Sequence, residues 1–264
     1  MNLNDLSTQL LFTTAPIWVQ KEDSKIVSGT CFFYNLPIPG TENKAIPLLI
    51  TNHHVIEGGT RALAELVTGS PDEKPFPREK IKAELDINQL ISYSNKELDI
   101  AAIPIGPILN ASANQGKPIF FRGLEPQMVA KGEVLSNLAS LEEIIFIGYP
   151  SGLRDDKNST PLIRRGITAT PAWNDFQGHP SFLIDAGVFP GSSGSPVLIF
   201  NQGSYTVKDG IAFGNRILLL GVITQTMQRI EDESNVYLGL GKVVRAEKIH
   251  AYLEKTMQHL FNQI

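Results

Sequence analysis

The sequence predicts an all-β protein of antiparallel barrels or sandwiches, closed at its C-terminal end by one amphipathic helix. Two observations predict the strands. Short apolar and β-branched runs recur along the 264 residues, each bounded by Gly, Pro, Asn or Asp. No helical periods alternate with them, which argues against a doubly wound sheet. A third predicts the helix: Ile249, Leu253, Met257, Leu260 and Phe261 recur at helical spacing with polar residues between them.

In chain order, residues 2–12 predict a short helix capped by Asn4 or Asp5, with Leu6, Leu10 and Leu11 as its stripe. Residues 17–20 read as a strand, 21–25 as a charged turn, and 26–34 as a strand that Pro37, Pro39 and Gly40 end. Residues 45–51 form the next strand. Residues 61–67 fit either period and are placed as a strand by position. Residues 69–80 are rich in proline and charge and read as an exposed loop, followed by strands at 81–91 and 99–105. Between 106 and 130 the pattern weakens around Pro107, Pro118 and Pro126, a boundary between two halves. Strands resume at 144–148, 163–170, 182–184, 197–200, 218–224 and 236–242, and residues 244–261 form the helix. One domain is expected: a first half at about 14–120, a second at about 121–243, and a helix at 244–262.

Hydrophobic residues make up 42% and charged residues 19%, an ordinary globular balance. The net charge of −4 comes without a basic patch, so nucleic acid is not an expected partner. Cys31 is the single cysteine, which rules out an intramolecular disulfide and a cysteine-based metal site. No carboxylate or cysteine cluster accompanies the histidines, so no metal and no cofactor are expected. The first residues lack the basic region and apolar block of a signal peptide. The longest apolar runs, 45–50 and 217–222, are too short to cross a bilayer. The expectation is a cytoplasmic protein without membrane contact.

Three stretches carry candidate chemistry. Phe189-Pro190-Gly191-Ser192-Ser193-Gly194-Ser195-Pro196-Val197 is a tight turn entering an apolar strand, and its glycines permit backbone angles that a Cβ resists. Such a turn holds one hydroxyl clear of the backbone and aims nearby N–H groups at one point, where an oxyanion would form if Ser193 attacked a carbonyl. Leu49-Ile50-Thr51-Asn52-His53-His54-Val55 ends a strand at two histidines. Neighbours on an extended chain face opposite ways, so they would not chelate one ion. Leu98-Asp99-Ile100-Ala101 opens an apolar strand with a carboxylate that needs a partner if buried. Together they supply a nucleophile, a base to take its proton, and an acceptor to hold that base in one tautomer.

At these residues the chain resembles the trypsin-like (chymotrypsin-fold) serine proteases, closest to the bacterial HtrA-type protease domain without a PDZ module. Thr51-Asn52-His53-His54-Val55 is similar to the T-N-x-H-V motif and selects His54 over His53. Asp99-Ile100-Ala101 is similar to D-[IL]-A, and Gly191-Ser192-Ser193-Gly194-Ser195-Pro196 to G-[DN]-S-G-G-P. Gly148-Tyr149-Pro150-Ser151-Gly152 and Phe182-Leu183-Ile184-Asp185-Ala186 resemble segments of the second barrel. The resemblance runs from about residue 18 to 242. It implies two six-stranded antiparallel β-barrels followed by a helix, with His54 and Asp99 on the first and Ser193 on the second. It implies an oxyanion hole from the N–H groups of Gly191 and Ser193. It also implies substrate contacts at Gly187, Thr224, Gln225 and Thr226, where an extended chain adds to a strand.

This chain departs from the pattern. Ser192 replaces Asp or Asn, so a buried aspartate–N-terminus ion pair is absent. Ser195 replaces Gly and is expected to place a side chain beside the nucleophile. Gly187 stands where an acid would select Lys or Arg, and Thr226 where many relatives have Gly, so a small or medium apolar residue is expected before the scissile bond. The expected activity is that of a serine endopeptidase acting through an acyl-enzyme on a protein or peptide, as a dedicated target in a bacterial stress or defence pathway. The competing reading is a latent or silent protease-fold binding module awaiting an activating protein. An α/β-hydrolase is disfavoured because Ser195 stands where its G-x-S-x-G elbow ends in Gly. Cys31 reads as a buried apolar side chain.

Overall fold

A computed structural model describes residues 3–42, 44–69, 75–207, 210–231 and 234–261. The first half contains strands β1 (Thr14–Lys21), β2 (Ile26–Pro37), β3 (Ala45–Thr51), β4 (Gly59–Gly69), β5 (Pro75–Leu85), β6 (Ser94–Asn95) and β7 (Ile100–Pro104). They form one antiparallel sheet in the order β5-β4-β1-β2-β3-β7-β6. The second half contains β8 (Glu143–Gly148), β9 (Leu162–Thr168), β10 (Ser181–Asp185), β11 (Pro196–Asn201), β14 (Arg216–Glu231) and β15 (Ser234–Arg245), closed as a barrel β10-β15-β14-β11-β8-β9. A separate hairpin, β12 (Ser204–Val207) and β13 (Gly210–Phe213), interrupts the link from β11 to β14. This fits the trypsin-like double-barrel architecture with a C-terminal helix, but among the described residues the first half has seven strands in an open order where a six-stranded barrel was implied.

Strand alternation divides the apolar residues among three cores, because successive side chains face opposite sides of a strand. In β2, Phe33 joins Ile17, Leu49 and Leu66 inside the first half, while Phe32 and Tyr34 face outward to the second. In β14, Ile223 joins Phe146, Phe182 and Val243 inside the second barrel, while Val222 faces outward with Val244 of β15. The outward residues of both halves make a third core. Helix α6 (Ala246–Thr256) seals it with Ile249 and Leu253.

The predicted elements need five corrections. The first helix, α1, spans only Leu6–Leu10, capped by the Asp5 side chain as expected; residue 2 lies outside the described residues. The expected loop at 69–80 already belongs to β5 from Pro75, and residues 70–74 lie outside the described ones. The expected strand at 81–91 ends at Leu85, because Asp86 caps a helix α3 (Ile87–Ser92) by accepting from the N–H groups of Asn88 and Gln89. The weak stretch after Gly106 holds α4 (Gly106–Asn114), started by Pro107 in its first turn, and residues 132–136 form a short α5 (Gly132–Ser136). The C-terminal helix begins at Ala246 because β15 runs to Arg245, and Met257 divides α6 from α7 (Gln258–Phe261).

His250 of α6 is buried, with Nδ1 2.9 Å from the Tyr34 hydroxyl and Nε2 3.3 Å from Glu254. Burial lowers its pKa from the ordinary histidine value of 6.5; Glu254 opposes this shift and Lys131 adds to it. The unfolded chain therefore takes up the proton more readily. The stability this site contributes is complete above 6.5 and is lost as pH falls from there through the lowered folded value. The melting temperature is expected to drop as pH falls below about 7.5, with a shallower slope in His250→Gln. Leu253→Ala, at a fully buried position, is expected to lower unfolding free energy by roughly 2–5 kcal/mol in denaturant titration.

Candidate active site

β3 ends at Thr51, and the buried Asn52 turns the chain into a short helix α2 (His53–Ile56). The two histidines therefore sit on a helical turn rather than an extended chain, and they diverge. His53 Nδ1 lies 3.0 Å from Ser94 Oγ and its Nε2 3.6 Å from Glu57. His54 turns to the junction of the halves. Lys21 holds the end of α2, donating to the carbonyls of Val55 at 2.8 Å and Glu57 at 2.5 Å, a favourable place for a cation. Burial lowers the Lys21 pKa, against the pull of Glu57 and Asp23.

Asp99 precedes β7 with φ of 50°, a left-handed conformation that Asp tolerates better than most residues. The Asn52 amide donates to the Asp99 carbonyl at 2.8 Å and fixes this turn. Asp99 Oδ1 then accepts the backbone N–H of His54 at 2.9 Å, and Oδ2 lies 2.7 Å from His54 Nδ1. Two bonds to one residue set both the place and the rotation of the imidazole. Its other nitrogen, Nε2, lies 3.0 Å from Ser193 Oγ.

The Ser193 turn is moulded onto the first half. Gly191 and Gly194 both have φ of 88°. A Cβ on Gly194 would lie 2.0 Å from the Thr30 carbonyl oxygen, and one on Gly191 would lie 2.7 Å from the Tyr149 carbonyl oxygen. Thr30, fully buried in β2, uses every polar group it has. Its N–H donates to the Ser193 carbonyl at 2.8 Å and its hydroxyl to the Gly191 carbonyl at 3.0 Å. Its hydroxyl oxygen accepts the Tyr149 N–H at 3.1 Å, and its carbonyl accepts the Thr51 hydroxyl at 2.8 Å.

The Pro190–Gly191 peptide is oriented by a second clamp. Its carbonyl accepts the Ser151 N–H at 2.6 Å, so its own N–H points to the opposite edge of the planar peptide. Among the described residues the N–H groups of Gly191 and Ser193 donate to no protein acceptor. Ser151 has φ of 52° and ψ of 25° in a tight turn. That turn is tied to the first half by the Tyr149 hydroxyl, which donates to the Thr14 carbonyl at 3.3 Å, and by Arg154. The Arg154 guanidinium lies 2.8 Å from the buried Glu65 carboxylate and over the Trp18 ring at 5.4 Å. Lys80 joins Glu65 at 3.0 Å.

Ser195 does not stand beside the nucleophile as expected. It is fully buried, and its hydroxyl occupies the space that a side chain on Gly148 would take: a Cβ there would lie 2.0 Å from Ser195 Oγ. Ser192 is also fully buried, and neither hydroxyl finds a hydrogen-bond partner among the described residues. Cys31 Sγ donates to the Ala15 carbonyl at 3.2 Å, and burial pushes its pKa up to about 12, so the thiol stays protonated and unreactive.

Thr224, Gln225 and Thr226 line the open cleft that holds His54, Asp99 and Ser193. Gly187 is not part of that lining. It has φ of 53°, and a Cβ there would lie 3.0 Å from the Arg164 guanidinium. β14 leaves β11 after Val222, Ile223 still bonds Gly194 and Ser195, and beyond it the described residues pair with β15 alone, so residues 224–228 present an open edge to the cleft. Sequence reasoning missed Thr30, Lys21, Ser151, Arg154 and the cleft residue Lys242. The arrangement is suited to proton transfer from a hydroxyl to an imidazole that a carboxylate holds, with two free N–H groups beside it. Among the described residues no three His, Cys, Asp or Glu side chains group as a metal site.

Residues 29–205, well over half of the chain, match the trypsin-like peptidase domain family. The chain belongs to that family. Two solved structures of HtrA-type proteases share the fold of this trypsin-like peptidase. A serine-to-alanine variant of AlgW with a tripeptide is similar at 15% identity and a TM-score of 0.53, over 98% of this chain and 64% of its own. AlgW with a tripeptide is similar at 16% identity and a TM-score of 0.51, over 96% and 62%. The chain thus spans less than two thirds of the length of either. No curated protein sequence matches it.

Thr30→Val keeps the branched shape and removes the hydroxyl that joins Gly191 to Tyr149. It is expected to slow covalent labelling of Ser193 by a fluorophosphonate roughly tenfold to a hundredfold. Thr30→Ser restores the rate, and melting temperatures measured alongside separate this effect from loss of the fold.

Proposed function

We propose that this trypsin-like peptidase is a serine endopeptidase that works through an acyl-enzyme. The observation that carries the reading is the bridge by His54, with one ring nitrogen 2.7 Å from Asp99 and the other 3.0 Å from Ser193. His54 takes the proton from Ser193 as its Oγ attacks the carbonyl carbon, then gives it to the departing amine. Asp99 holds the tautomer with the proton on Nδ1 and stabilises the imidazolium. The Gly191 and Ser193 N–H groups receive the oxyanion, and the clamp from Ser151 supports the outward orientation of the Gly191 N–H. Water then enters by the same base to release the acid product.

The substrate is a protein or peptide in extended form, adding a strand to the open edge at 224–228. Its scissile residue turns to the side of Gly187 and Thr226. The open hole and assembled His54 favour an active enzyme over a latent module that needs an activating protein. A cytoplasmic peptidase of this kind must spare its neighbours, which motivates a dedicated target in a bacterial stress or defence pathway.

A fluorophosphonate is expected to label the wild-type chain, and to label neither Ser193→Ala nor His54→Ala. Asp99→Asn is expected to cut turnover by about 10⁴-fold while leaving the fold intact by circular dichroism. Absence of labelling in folded wild-type protein would falsify the enzyme reading and return the chain to a binding role.

A further inference from the structure

Lys242 is the half-buried cation of the cleft. It lines the same space as His54, Asp99 and Ser193, and among the described residues it forms no ion pair and no side-chain hydrogen bond. Its direction follows from the register of β15. Gly241 and Val243 face the interior of the second barrel, Gly241 packing toward Val188 and Val243 lying in the barrel core. Lys242 and Val244 therefore face the other way, toward the junction of the halves. Val244 pairs directly with Val222, and Lys242 with Gln225. Direct partners in an antiparallel pair share a face. So one sheet face is apolar at Val222 and Val244, where the halves are sealed, and becomes polar at Gln225 and Lys242, where it opens beside Ser193.

We infer that Lys242 selects a substrate with an acidic side chain at the second or fourth residue before the scissile bond. This rests on the serine-peptidase reading above. A chain added to the edge at 224–228 alternates its side chains between the two faces of the sheet. If the scissile residue turns to Thr226 and Gly241, which pair with each other, the second and fourth residues before the bond turn to Gln225 and Lys242. The ammonium is compact and Lys242 shares its sheet face with Val244, so a carboxylate there gains a charge pair and leaves no buried anion unmatched. Gln225 lies exposed beside it as a second, neutral donor. Glu97 stands on the first half's rim of the cleft, exposed and outside ion-pair distance of Lys242. An exposed charge is screened more strongly than the half-buried ammonium, so Lys242 sets the preference on its own wall.

The test compares labelling rates of peptidyl phosphonates that differ only at the second or the fourth residue, carrying Glu, Gln or Lys. A simple alkyl fluorophosphonate, which reaches Ser193 without touching Lys242, is run beside them. In wild type the Glu probe is expected to react about tenfold faster than the Gln probe at one of these positions, and the Lys probe slowest. Lys242→Gln removes the Glu-over-Gln advantage, Lys242→Glu reverses it toward the Lys probe, and Lys242→Arg keeps it. The alkyl probe reacts at the wild-type rate in all three variants. A Glu-to-Gln ratio near one in wild type, or a ratio that survives in Lys242→Gln, overturns the assignment while the alkyl probe still reports a working Ser193. Failure of the alkyl probe in wild type removes the serine-peptidase reading instead, and the assignment with it.

Discussion

Thr30 is the constraint on which the site depends. A nucleophile on one β-half and its base on the other are useful only if the halves hold a separation fixed to a few tenths of an ångström. Apolar packing between them supplies most of the adhesion but tolerates sliding, because burial is not directional. The Thr30 N–H, hydroxyl and carbonyl are directional, and they fasten the Ser193 turn, the Tyr149 turn and the end of the His54 strand to one residue. These Thr30 bonds are buried, where a hydrogen bond left unmade is expensive. The His54–Ser193 distance is therefore set by a backbone contact on the far side of Ser193.

The peptide that carries the Gly191 N–H depends on a longer chain of contacts. Its orientation comes from Ser151, the Ser151 turn is held by Tyr149 and Arg154, and Arg154 is held by Glu65 on the first half. A carboxylate as enclosed as Glu65 is tolerated because Arg154 and Lys80 both meet it. The direction of the Gly191 N–H is thus a property of both halves together.

What was legible in the sequence was what short motifs encode. His54, Asp99 and Ser193 stood out because each sits in a local pattern of glycines, a strand end or an apolar run. The strands stood out because turn residues bracket them. Thr30 was not legible, since a threonine in Ser28-Gly29-Thr30-Cys31-Phe32 looks like any β-branched strand residue. Its partners Tyr149, Gly191 and Ser193 lie more than a hundred residues away in sequence. α3 was missed although a signal was present: Asp86 followed by Ile87, Asn88 and Gln89 is an N-cap arrangement, hidden behind the apolar run that ends at Leu85. Ser195 was misplaced because the sequence shows which residue follows the nucleophile's glycine but not which way its side chain turns.

The fit of Ser195 against Gly148 bears on how this peptidase changes over generations. The hydroxyl of one fills the volume that any side chain on the other would need. A larger residue at 148 is excluded while Ser195 is present, and even with glycine at 195 its Cβ would lie 2.7 Å from the Thr30 hydroxyl oxygen. Position 148 is thus tied to Thr30 as well as to Ser195, so bulk cannot pass between 148 and 195 as an isolated pair.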